Sequence, residues 1–92
     1  GWILAGQKQK AAEYVGKVWK TASQYLSYYL SLDANRFAQA QNDCIRQIMI
    51  MQSTCEVASM VDQKTAKKYE DQLNKLYTLY HGRGGQMPNA GN

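Results

Sequence analysis

The 92-residue sequence predicts an all-α chain: an antiparallel helical hairpin extended to a three-helix bundle, with a flexible, Gly-rich C-terminal tail. Three observations predict it. From Lys17 to His81 there is neither Gly nor Pro, the two residues that most strongly interrupt regular structure. Apolar residues recur in steps of three and four, the spacing that aligns side chains along one side of an α-helix. Two stretches can host turns without Gly or Pro: SLDAN (31–35), and VDQK (61–64), where Asp62 interrupts the apolar phase.

The first helix is expected over about residues 4–31. Ala11, Val15, Val18, Ala22, Tyr25, Tyr29 and Leu32 form its apolar seam, with Glu13, Lys17, Lys20 and Gln24 on the opposite face. Glu13 and Lys17, one turn apart, make a favourable pair. In the first turn, Asp33 can accept hydrogen bonds from the free N–H groups that begin the next helix.

The second helix is expected over about 33–61. Its seam runs through Phe37, Gln41, Cys44, Ile48, Met51, Cys55 and Ala58, widened by Ile45 and Met49. Its end has three readings: a turn at Asp62, an irregularity there in one long helix, or a break at 52–54, since Ser53 and Glu56 have capping-box spacing. A turn at Asp62 gives two helices of matching length, as a hairpin requires. A third helix (about 63–81), with Ala66, Tyr69, Leu73, Leu76 and Tyr80 on its seam, then folds back beside them. It stops at His81-Gly82 with a glycine cap. This arrangement carries Tyr77 and Tyr80 towards Tyr25 and Tyr29. Residues 1–82 form one domain and 83–92 the tail.

Charge is unevenly distributed. The net charge is +4, yet residues 21–63 hold four acids against two Arg, and no Lys occurs between Lys20 and Lys64. With 20% charged residues, below the usual quarter, and seven Tyr, the chain suits a domain that covers one face with a neighbour. No apolar run approaches the ~20 residues that span a bilayer. The chain begins Gly-Trp, as a processed mature form or a fragment does, and a removed signal would make it secreted or periplasmic.

Little in the sequence points to catalysis. Cys44 and Cys55 are the only cysteines and share the core phase. They read as reduced core residues, as an internal disulfide, or as an intermolecular pair in antiparallel copies. On one continuous helix their Cα atoms stand about 16 Å apart, beyond the ~7 Å limit of a disulfide; an internal bond therefore needs a break near 49–54. Metal binding is not expected without further ligands, nor redox catalysis without C-x-x-C. His81 suits a helix C-terminus. Glu70 and Asp71 diverge by about 100° on a helix and form no carboxylate pair. GRGG (82–85) lacks the Gly-Lys-Ser/Thr of a phosphate loop. No catalytic residue, cofactor site or metal site is assigned.

The function expected is a non-enzymatic helical interaction or assembly protein, an exported component of a homo-oligomeric or larger complex of the secretion, conjugation, pilus or virion type. Its interface candidates are Ile45, Ile48, Met49, Met51, Tyr25, Tyr29, Tyr77 and Tyr80. One alternative is a basic nucleic-acid binder using Lys64, Lys67, Lys68, Lys75 and Arg83. The other is a membrane-surface module anchored by Trp2, Ile3 and Leu4, with Lys8 and Lys10 for anionic headgroups.

Overall fold

The structure, a computed structural model, describes the backbone of residues 2–87 and the side chains of residues 6–87. Four helices follow one another: α1 (Trp2–Leu30), α2 (Ala34–Gln39), α3 (Gln41–Val61) and α4 (Gln63–Gly82), with no strand among the described residues. α1 packs along α3 and α3 along α4, while α1 meets α4 over a shorter stretch. Side chains of Trp2, Ile3 and Leu4 lie outside the described residues.

Turn chemistry sets the element boundaries. Asp33 caps α2, its carboxylate accepting from the Arg36 N–H at 2.8 Å. Asp62 is the single extended residue between α3 and α4 (φ −155°, ψ 113°). Its carboxylate accepts from the Lys64 N–H at 3.2 Å and the Thr65 hydroxyl at 2.6 Å. The chain thus turns at Asp62, and helix α3 runs unbroken through Ser53.

The expected second helix is divided. Ala40 (φ −95°, ψ 8°) ends α2 and begins α3, its N–H shared between the carbonyls of Arg36 and Phe37. The hydrogen-bond chain scarcely lapses, because the Cys44 N–H still donates to the Ala40 carbonyl at 2.9 Å. On α2, Phe37 is buried against Tyr80, with ring centroids 5.8 Å apart. No Gly or Pro marks this bend, so the sequence pattern gives no notice of it.

The core joins the three long helices. Trp19, Leu26, Cys44, Ile48, Met51, Leu73 and Tyr80 are buried together, and Val15, Ala58 and Ala66 form a second cluster. Trp19 stacks on Tyr69 of α4 with centroids 4.3 Å apart, and its indole N–H donates to the Gln72 side-chain oxygen at 2.9 Å. On α1 the buried line is therefore Val15, Trp19, Ala22 and Leu26, not the expected line through Val18 and Tyr25. The α1 apolar surface is wide enough to hold two parallel seams, and Trp19 and Leu26 on the more enclosed one face the core.

The end of α4 also differs from expectation. Gly82 is still helical, and Gly84, two residues later, carries the left-handed conformation (φ 91°). The Gly84 N–H donates to the His81 carbonyl and the Gly85 N–H to the Tyr80 carbonyl, the paired bonds of a Schellman ending. Gly85 is buried, and a Cβ there would run into the Tyr80 ring. The Tyr80 hydroxyl donates to the Gln86 carbonyl at 2.8 Å, and Met87 packs on the core. Residues 83–87 are thus built onto the helices rather than forming the start of a loose tail.

Candidate docking site

The two cysteines occupy one unbroken helix and both are free thiols. Without a bend near 49–54 the internal disulfide has no geometry to form. Cys44 has no exposed surface, so a Cys44–Cys55 pairing between copies would require it to be uncovered first. Burial pushes both thiols up from their ordinary range; Asp43 adds to the effect at Cys44, and Glu70 at Cys55. Neither is poised as a nucleophile.

The interface candidates divide by helix face. Ile48 and Met51 are fully enclosed, and Ile45 packs against the core from its edge. Met49 faces outward, 54% exposed. The tyrosines form two groups rather than one. Tyr29 contacts Tyr25 and Tyr28 on α1, whereas Tyr80 contacts Phe37 and His81, and Tyr77 contacts His81. Phe37, brought in by the bend at Ala40, takes the place against Tyr80 that the sequence pattern assigns to the α1 tyrosines.

Met49 belongs to a groove between α1 and α3. On α1, Tyr14, Val18, Thr21, Tyr25 and Tyr28 step by four and three, one residue out of phase with the buried seam and so turned by about 100°. From α3 come Met49, Ile50, Ser53 and Val57. The principal hollow, about 460 Å³, lies between Tyr14 and Val18 on one wall and Met49, Ile50 and Val57 on the other. A second hollow shares Val18 and Ile50 with it and runs on to Thr21, from which a third reaches Tyr25 and Tyr28. No α4 residue lines any of the three. The groove thus lies on the side of the α1/α3 pair that α4 leaves bare.

Tyr14 (69% exposed), Met49, Val57 (42%), Tyr25 and Tyr28 all border it, five of the seven large apolar side chains exposed among the described residues. A contiguous line of this kind marks a contact surface more than scattered exposure does. Among the described residues its charged lining is Arg46 and Lys17, and no Asp, Glu, His or Cys lines it. The Thr54 hydroxyl is spent on the Ile50 carbonyl at 2.7 Å. The lining can hold an apolar ligand and offers no acid–base pair for chemistry.

The candidate nucleic-acid cations separate. Arg83 is engaged by its own chain at the surface: its guanidinium donates to the carbonyls of Leu30 and Leu32 and lies 4.5 Å from the centre of the Phe37 ring. Lys64, Lys67, Lys68 and Lys75 are exposed on α4. Lys64 and Lys67 share the α3/α4 cleft with Glu56 and Glu70, which interrupts the positive surface. Among the described residues no three His, Cys, Asp or Glu side chains gather as a metal site requires, and no helix is long and apolar enough to cross a membrane.

Sequence reasoning missed Tyr14, Val18, Val57 and Arg46 as groove residues. The signal present was the second seam on α1. Compared with protein-family models, with curated proteins and with solved structures, the chain shows no match.

Proposed function

We propose that the chain is a non-enzymatic docking module, a subunit of a larger assembly, that works by burying the α1/α3 groove against a helix. The observation that carries this is the groove itself, apolar, open, and extending from Tyr14 to Tyr28, about 21 Å at helical rise. In this reading α1, α3 and α4 are three rods of a bundle whose fourth place is left for the partner, between the hairpin helices.

The magnitudes are adequate. Each large apolar side chain taken out of water contributes about 1.5–3 kcal/mol. Tyr14, Met49, Val57 and Tyr25 together then offset the several kcal/mol lost to association and side-chain ordering. Tyr and Met suit the task, since Tyr presents a rigid amphipathic surface and Met adapts to it.

A photo-crosslinking residue placed at Tyr14 in producing cells tests the reading, with one at Lys68 on α4 as control. A discrete protein adduct from position 14, absent from position 68 and removed by Met49→Glu, is the expected result. Equal labelling from both positions, or none from position 14, refutes it.

A further inference from the structure

Building on the docking reading, we infer that the groove receives an amphipathic helix of another protein whose apolar stripe is flanked by Asp or Glu. Three observations carry this. First, the groove is apolar along its floor, and its two charged lining residues, Lys17 on the α1 wall and Arg46 on the α3 wall, are both cations. Of the α3 acids, Asp43 lies one turn before Arg46 and outside the lining, and Glu56 lines the α3/α4 cleft instead. A helix lying in the groove therefore presents one flank to Lys17 and the other to Arg46, and carboxylates suit both.

Second, the length is fixed. The lining residues of α1 run from Tyr14 to Tyr28, so the partner helix is about four turns long. Its anchors recur every three or four residues, the usual pattern of a helix held in a groove.

Third, a second copy of this chain is a poor occupant. The chain carries a net charge of +4, and two grooves face to face set Lys17 and Arg46 against their own kind. The outer face of α4 carries Lys64, Lys68, Asp71 and Lys75, with Leu79 as its only large exposed apolar side chain. No described helix offers an apolar stripe with acidic flanks.

The test uses the intact chain and two labelled peptides, each about four helical turns long with the same Leu and Ile stripe, one flanked by Glu and the other by Lys. Fluorescence anisotropy reads their affinities at low and high salt. At low salt the Glu-flanked peptide is expected to bind roughly tenfold tighter, since two exposed ion pairs replace two like-charge contacts, and salt narrows the gap. Lys17→Glu with Arg46→Glu reverses the preference, and Met49→Glu weakens both peptides. All three sites are exposed, and circular dichroism confirms that each variant keeps its helices.

Equal affinity for the two peptides, or preference for the Lys-flanked one, overturns the acidic partner and leaves the docking reading intact. So does a dimer of the chain alone that Met49→Glu dissolves, because a second copy then fills the groove. If neither peptide binds, the acidic partner falls, and the position-14 crosslink decides separately whether the docking reading falls with it.

Discussion

Arg83 closes the molecule at one end. Helix α1 finishes at Leu30 with no glycine and no basic residue in its last turn, so its final carbonyls need donors from elsewhere. Arg83, more than fifty residues later, donates to Leu30 and Leu32 and covers the Phe37 ring. Two charge-assisted bonds and a ring contact at an exposed site are together worth about 1–2 kcal/mol. Arg83→Ala should lower the melting temperature by roughly 4–16 °C, at 4–8 °C for each kcal/mol; Arg83→Lys, lacking the planar fork, should recover only part of it. Gly85→Ala should cost at least as much, because the added methyl meets the Tyr80 ring. The thiols give a second check at this scale. Cys55 is partly exposed and Cys44 is not, so native protein should react with an aromatic disulfide reagent slowly at Cys55, with Cys44 labelled only on unfolding.

Among the elements, the α3–α4 junction depends on one carboxylate. The hydroxyl of Thr65 and the N–H of Lys64 hold Asp62 below the ordinary carboxylate range. Its folded-state pKa is thus lower than its unfolded one, and the stabilisation is fully present above the unfolded value, about 4. It is lost as pH falls through the folded value. Asp62→Ala should therefore lower the melting temperature at neutral pH, with the difference from wild type shrinking below about pH 4. A difference that stays constant into strong acid would show that Asp62 acts through backbone conformation alone. On α1 the apolar seam is doubled: Val15, Trp19, Ala22 and Leu26 face the core, while Tyr14, Val18, Thr21 and Tyr25 line the groove. The helix is apolar on two adjacent faces, and among the described residues only one of them is covered.

At the scale of the whole molecule the fold is long and thin, 52 × 28 × 18 Å, with α3 at its centre. A core of this size leaves modest stability, of the order of 5–15 kcal/mol in all. Adjacent residues of α3 separate stability from docking. Ile48 is fully buried, and Ile48→Ala should cost about 2–5 kcal/mol, enough to unfold much of the population on mild heating. Met49 lies in the groove wall, and Met49→Ala should change stability by no more than about 0.5 kcal/mol while reducing the position-14 crosslink. Thermal melts and crosslink yield from the two variants check both statements.

Much of this was legible in the residues. The all-helical class and the capping role of Asp33 follow from local chemistry, while the turn at Asp62 was one of three readings that the residues left open. Most of the α3 seam through Cys44, Ile48, Met51 and Ala58 was legible too. The bend at Ala40 was not legible, because no Gly, Pro or polar cap marks it; the burial of Phe37 beside Tyr80 accompanies it. Nor was the meaning of GRGG. In sequence it suggested the start of a flexible, Gly-rich tail, and in the fold Arg83 caps a distant helix, Gly84 supplies the left-handed turn and Gly85 makes room for a ring.

By itself the sequence determined that the chain is helical and that Asp33 caps a helix start, since a cap is settled by neighbours within about four residues; the stop at Ala40 was not among the things it determined. Only the tertiary structure decided which of two overlapping seams on α1 would be buried, and therefore which face is left uncovered among the described residues. Periodicity assigns apolar residues to a side of a helix, but a broad stripe is shared out by the shapes of the helices that pack against it.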